Sequence, residues 1–541
     1  MLFVLRRSRS WRRVWLSCLI AVALAPLVGG SALAEATPVA QAGPGDRDAV
    51  LYEAIVPGQR EAIVAATGGQ LSRYRIEAEL VPATESTPAT IVGEQDLLFV
   101  NGTEVALPEL YFRLYANEDI NAEGALVVGD MTVDDAPVVP ELSVGETVLR
   151  VPLSAPVAPG GTVRVRMAFT TTIPVSPSQG YGMFGYATAQ GTFSLAAHWY
   201  PILAGYDPVA GWVLSPPSRI GDPVFSNAAL YDVGLTAPTG LILVTSGREV
   251  GTDDRSGRVR HRYVTGPARD FTIVGDNDFA SLSEEVDGTT LTSYFDPARP
   301  EGGREILREA AQSLALFNDL FGAYPYVELD LVEMPLRGAA GIEFPQLIYV
   351  DDNYYSRSAG EPAEPGGTAT VVAHEVAHQW WYGLVGNNQY AHAFTDEGLT
   401  NYVTAVYYEK VYGPERGQQE IDRMLKAPYF ALLFGAGDQI VDRPTDDFRD
   451  GTYGVTIYCK AALGFGAIRA EIGDEAFFGA LQSYAAEFQF RVATPDDLLT
   501  AFNQASGRDL SELWRHWFEA AEGRQDYDWA DAMALLRELG R

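Results

Sequence analysis

Between Leu51 and Gly275, apolar and polar residues alternate in short runs bounded by Gly, Pro, Asn or Asp. Tyr74-Arg75-Ile76-Glu77-Ala78-Glu79-Leu80 is one such run, and 162–169 and 241–245 are others. Alternation puts apolar side chains on one face of a strand and polar ones on the other. Strands this short and this frequent predict an all-β sheet or sandwich domain. Near residue 300 the period changes. Ile306, Ala310, Leu314 and Phe317 line one face of an amphipathic helix expected over 304–321. Residues 329–333 and 347–350 read as two strands, and 361–367, rich in Glu, Pro and Gly, reads as a loop. From Thr368 onward helical patterns dominate, among them 474–488, 495–505 and 510–520, with helix starts at Pro495-Asp496-Asp497 and Ser511-Glu512. There is no internal repeat. The expected class is α+β and multidomain: a β-rich N-terminal domain over 49–275, a mixed domain over 276–470 and a short helical C-terminal segment over 471–541.

The first 34 residues read differently. Arg6, Arg7, Arg9, Arg12 and Arg13 precede an apolar run from Val14 to Val28, and Ala32-Leu33-Ala34 follows it. This order is that of a secretory signal peptide. Residues 35–48 are rich in Ala, Pro and Gly and read as a flexible leader. The expectation is export to the periplasm or the extracellular space. No later stretch approaches about 18 uninterrupted apolar residues, so no integral span is expected in the mature chain.

Charge narrows the partners. The 541 residues carry 71 Asp+Glu against 39 Lys+Arg, a net charge of −32. Nucleic acid and anionic membrane surfaces are therefore poor partners. Loss of 1–34 removes five Arg and no acid, which takes the net charge from −32 to −37. It also removes Cys18 and leaves Cys459 alone, so no intramolecular disulfide is expected.

His374-Glu375-Val376-Ala377-His378 is H-E-x-x-H. On a helix, positions i and i+4 share a face, so both imidazoles can meet one metal ion. Residues 368–383 hold no Pro and no interior Gly and read as one continuous helix. Glu375 is placed to act as a base on water activated by the metal. A catalytic zinc needs a third protein ligand. Glu397 follows His378 after eighteen residues, at the start of a helix expected over 396–412, and His392 is a rival. His198 and His261 lie in the β-rich part and read as structural or surface residues. Cys459 reads as a small buried residue. Lys460, one of only three lysines, reads as a structural ion pair.

The combined pattern resembles the gluzincin zinc aminopeptidases, the metallopeptidases of the aminopeptidase N and leukotriene A4 hydrolase type. Gln379-Trp380-Trp381-Tyr382-Gly383-Leu384-Val385 is similar to that family's H-Q-W-F-G-N-L-V text. Ala340-Gly341-Ile342-Glu343-Phe344 lies where the family carries G-x-M-E-N, and Tyr458-Cys459-Lys460-Ala461-Ala462 is similar to Y-x-K-G-A, with Tyr453 five residues earlier. Residues 318–325 resemble its F-G-x-Y-P text. The resemblance implies a thermolysin-like catalytic domain and one Zn2+ per chain, held by His374, His378 and Glu397. It further implies Glu375 as the base, Tyr458 as donor to the developing oxyanion, and Glu343, with Gly341 and Ile342, as the binding site for peptides with a free N-terminus. The chain departs from the pattern at Ile342, Phe344 and Ala461. About 80 residues follow Tyr458, a shorter helical end than many members carry. Two other readings stay open: a zinc endopeptidase of thermolysin-like type, and a non-catalytic exported binding protein stabilised by zinc.

Overall fold

In strand Ser72–Val81, Tyr74, Ile76, Ala78 and Leu80 are buried while Arg75 and Glu79 are exposed. The alternation in the sequence is thus the inside and outside of a sheet. The computed structural model describes residues 49–539 except 122–123, 189–190, 217–218, 223, 357–366 and 449–450. The expected signal peptide, the leader and nearly all of the expected loop at 361–367 lie outside the described residues.

Ser72–Val81 sits inside an eight-stranded sheet, parallel to Ala229–Pro238 and antiparallel to Thr90–Val100. A two-stranded ribbon, Tyr206–Asp207 with Gly211–Trp212, and two four-stranded sheets accompany it in the β-rich part. Leu107–Arg113 and Val148–Val157 are the central strands of one, and Ile273–Asp276 and Phe193–Ser194 of the other. Tyr74, Tyr231, Trp199, Phe169 and Phe271 belong to one apolar core shared by these layers.

A second sheet system begins at Ala280. It has five strands in the order Ala280–Val286, Thr289–Phe295, Glu328–Met334, Leu347–Asp351, Gly341–Phe344. The middle three run parallel, and Gly341–Phe344 lies antiparallel at the edge. Helix Pro300–Phe321 buries Ile306, Ala310, Leu314 and Phe317, the face its pattern predicts. It starts earlier than expected because Pro300 fits the first helical turn, where a missing N–H costs nothing. Helix Gly367–Ala377 buries Val371, Val372, Ala373, Val376 and Ala377. It is apolar on most sides because it is enclosed on most sides. Helix Glu397–Tyr412 packs beside it and Ala461–Ile472 packs on Glu397–Tyr412 in turn, and Asp474–Glu487 and Pro495–Ser506 follow. Among the described residues no helix is long and apolar enough to cross a membrane.

Two expected helices are broken. The one expected over 368–383 stops at Ala377, and Gln379–Leu384 forms a wide turn with non-helical backbone at Trp381 and Tyr382. Local propensity favours continuation there, but Arg269, buried at the end of a β-rich strand, takes the turn's carbonyls. It donates to the carbonyl of Tyr382 and, at 3.0 Å, to that of Leu384. The Tyr382 hydroxyl in turn donates to Asp270 at 2.6 Å. Side-chain donors from another layer thus override the i→i−4 ladder. The helix expected over 510–520 divides into Ser511–Trp514 and a wider turn, Arg515–Glu519.

Candidate active site

His374 and His378 lie one turn apart on helix Gly367–Ala377 and its end, with Nε2 atoms 3.1 Å from each other. Glu397 opens the next long helix, and its Oε2 lies 3.1 Å from His374 Nε2 and 3.2 Å from His378 Nε2. The three atoms form a near-equilateral triangle. Ligands about 2.0–2.1 Å from a tetrahedral zinc stand about 3.3 Å apart, so the triangle has the size such a site requires. Two imidazoles and one carboxylate, with a fourth position open, form a catalytic rather than a closed structural donor set. The residues therefore fit a zinc ion.

The other nitrogen of His378 is also engaged. Nδ1 lies 2.7 Å from Asp396 Oδ1, with the Trp381 carbonyl at 3.2 Å. A proton on Nδ1 leaves the Nε2 lone pair for the metal. Glu343, His378 and Asp396 also bring ligand atoms within 4.8 Å of one another. The short Nδ1–Asp396 bond, however, marks Asp396 as a group that orients His378. Asp396 accepts a second hydrogen bond from Gln389 Nε2 at 3.1 Å. Its only sequence signal is its place directly before Glu397. The rival ligand His392 is turned elsewhere, with Nδ1 2.5 Å from Asp442.

Glu375 is buried, and its Oε2 has no hydrogen-bond partner. Burial pushes its carboxyl up to about 8, with the Glu397, Asp222 and Asp396 carboxylates adding to the rise against the opposing effect of His378. A bound cation acts in the opposite direction. Burial alone would also raise Glu397, but hydrogen bonds to His374 and His378 hold it far below the carboxylate range. Burial works against charge on His378, yet Asp396 and Glu343 outweigh it and raise its pKa well above the ordinary value.

Glu343 comes from the edge strand, and its side chain is buried beside His378 and Asp396. Ile342 and Phe344 alternate with it and point the other way. Both belong to an apolar cluster with Met183, Met334 and Tyr349, where the Phe344 ring meets Tyr349 edge-on at 4.9 Å. Phe344, the departure from the family text, is thus a packing residue. The Ile342 side chain is likewise core, and its backbone alone is left for a substrate. Gly341 lies directly against the Glu375 side chain.

Tyr458 sits on a wide helical turn, Val455–Lys460. Its ring stacks near His374 at 5.9 Å and 19°, and its hydroxyl donates to Glu397. Lys460 is buried and donates to Asp438 at 3.1 Å and to the carbonyls of Gln439 and Ala520 at 2.6 and 2.7 Å, as a structural tie. Cys459 is buried and its thiol is pushed up to about 12 by that burial. Burial drives His198 down to about 3, and His261 pairs with Glu249 at 2.7 Å on the β-rich surface.

Besides Asp396, sequence reasoning missed two contributors, Asp222 and Tyr181, both from the β-rich part. Tyr453, which the sequence text sets five residues before Tyr458, lies near them. Burial raises the Asp222 carboxyl, and the charges of Glu343, Glu397 and Asp396 raise it further, which places it in their field. Gln389 Nε2 donates to it at 3.4 Å. Burial raises the Tyr181 hydroxyl, and the charges of Asp222, Glu397 and Glu343 raise it further. Gly221 lies against the Tyr453 hydroxyl.

An HExxH helix, a carboxylate as third candidate ligand from the following helix and an edge strand beside them form the arrangement that the resemblance to the gluzincin metallopeptidases implies. Residues 306–517 match the peptidase family M1 domain. Aminopeptidase M1-B of Oryza sativa subsp. japonica is 27% identical over 250 residues, 45% of this chain and 28% of that one. Aminopeptidase N of Streptomyces lividans is 27% identical over 259 residues, 46% of this chain and 30% of that one. The chain thus spans under a third of the length of these curated relatives. An M1 zinc metallopeptidase from Deinococcus radiodurans shares the fold, with a TM-score of 0.61, 20% identity, and coverage of 84% of this chain and 94% of that one.

Proposed function

We propose that this chain is a zinc-dependent aminopeptidase that removes N-terminal residues from peptides. One observation carries the reading: buried Glu343, on an edge strand, shares a site with the His374, His378 and Glu397 triangle. An edge strand offers unpaired backbone groups to an extended peptide, which can lie along it as an added strand. Glu343 then pairs with the peptide's α-ammonium in a charge-assisted contact, and the peptide stops there. An endopeptidase has no use for a buried carboxylate at that position, and a structural zinc site has no use for Glu375.

Zinc, when bound, acidifies water and polarises the scissile carbonyl. Glu375 takes the proton of the attacking water and passes it to the leaving amine. Tyr458 releases Glu397 as its hydrogen-bond acceptor and donates to the oxygen that gains charge. Asp396 keeps His378 in the tautomer that leaves Nε2 free.

The reading extends to the rest of the chain. Residues 1–34 direct export to the periplasm or beyond, 35–48 are a leader, and 49–275, 276–470 and 471–541 are the β-rich, catalytic and helical parts. The test is purified protein assayed on aminoacyl arylamides with metal analysis. About one zinc per chain, activity lost to a chelator, and Glu375→Gln that keeps zinc but not turnover are expected. A zinc-loaded protein inert on a full arylamide panel would refute the proposal.

A further inference from the structure

We infer that Gln379 is a positioning residue that locks the Glu343 strand in register with the metal ligands and so sets the affinity for free-amine substrates. The inference rests on the aminopeptidase reading above.

Gln379 directly follows His378 and is buried. Its Nε2 donates to the Phe344 carbonyl at 3.1 Å, and its Oε1 accepts from the Gln346 N–H at 3.0 Å. The Tyr324 hydroxyl donates to the same Oε1 at 3.3 Å. Phe344 and Gln346 flank Pro345 in the tight turn that joins Gly341–Phe344 to Leu347–Asp351. One amide side chain therefore grips both sides of the turn, and the residue it grips first is the neighbour of Glu343.

Two features show that the grip is needed. The edge strand has four residues and a single neighbour, so its own ladder holds it weakly. Gln346 also adopts φ 65°, a left-handed conformation that a non-Gly residue occupies only when its surroundings impose it. Here the Gln379 bond to its N–H and its own Nε2 bond to the Thr265 carbonyl at 3.1 Å impose it. The task requires a donor and an acceptor on one side chain, which an amide supplies and a carboxylate or thioether does not. Freed from Gln379, the turn relaxes and Glu343 shifts relative to His374, His378 and Glu397, while the ligands stay in place on their own helices.

Gln379→Met removes the hydrogen bonds at similar volume, and Gln379→Glu keeps the acceptor but loses the donor at neutral pH. For both, zinc content, amide exchange over 341–347, KM and kcat on aminoacyl arylamides are measured beside Glu343→Ala. In Gln379→Met the expected result is full zinc content, faster exchange at Gln346, a KM raised about tenfold and a kcat within about threefold of the parent. Gln379→Glu should fall between the two, and it keeps the test open if the Met variant fails to fold. A general structural role would instead lower zinc content, kcat and stability together. Unchanged exchange, or faster exchange with KM unchanged while Glu343→Ala raises it, overturns the inference. If Glu343→Ala itself leaves KM unchanged, the amine-anchor reading falls. Exchange at Gln346 then decides alone whether Gln379 locks the strand.

Discussion

A Cβ at Gly341 would fall on the carboxyl group of Glu375. With a larger residue at that point of the edge strand, the carboxyl group of the candidate base must move. Glu375 has no hydrogen bond to its Oε2, so its placement depends on this packing. Gly341→Ala should displace the carboxylate and lower kcat by about a hundredfold, the scale of a misplacement of about 1 Å at a reacting group. Zinc content should not change, because no ligand is touched. Steady-state kinetics with metal analysis checks this, and an unchanged kcat would contradict it.

Tyr458 donates to Glu397 and stacks beside His374. Tyr458→Phe keeps the ring and removes the donor. Turnover should fall by about 10²–10³, with KM nearly constant, if the hydroxyl serves the developing oxyanion. A fall in zinc affinity with kcat intact would instead make Tyr458 a support for Glu397.

Among the described residues, Asp396 is hydrogen-bonded to the candidate metal ligands through His378 Nδ1. Asp396→Asn should weaken zinc binding by about 10–100-fold, the usual effect of losing such a partner. Much of the activity should return when zinc is supplied in excess. Competition with a chelator of known affinity measures the first effect, and titration of activity with zinc the second.

The same pair gives a pH dependence. Against the opposing effect of burial, Asp396 and Glu343 raise the pKa of metal-free His378 well above its ordinary value, so near neutrality the imidazole holds a proton. Zinc requires the neutral ring, so binding releases that proton. Affinity should strengthen as pH rises towards the raised pKa and weaken as pH falls. Calorimetry of zinc binding in two buffers of different ionisation heat should show proton release. Identical heats would contradict the protonated state.

The parts of the site that share a helix or adjoin one were legible in the sequence. His374 and His378 follow from helical spacing, and Glu397 and Tyr458 from text close to them in the chain. Strand alternation around Tyr74 and the apolar face of Ile306 and Leu314 likewise express local periods. Much of what was not legible depends on contacts across more than a hundred residues. Arg269 ends the HExxH helix at a place where nothing in 368–383 opposes continuation. Asp222 and Tyr181 reach the site from strands and loops whose own text points only to a β domain. Ile342 and Glu343 are neighbours in one motif, and the pleat of the edge strand gives one to the core and the other to the site. Asp396 could be found only once His378 Nδ1 had a direction.

The most direct measurement is product mapping by mass spectrometry on one unblocked decapeptide and its acetylated twin, with the parent protein and Glu343→Ala. The account predicts stepwise loss of single N-terminal residues from the free peptide and no cleavage of the acetylated one. With Glu343→Ala, the KM for the free peptide should rise by at least about tenfold, the scale of one charge-assisted contact. Internal cleavage of both peptides at similar rates, indifferent to Glu343, would contradict it.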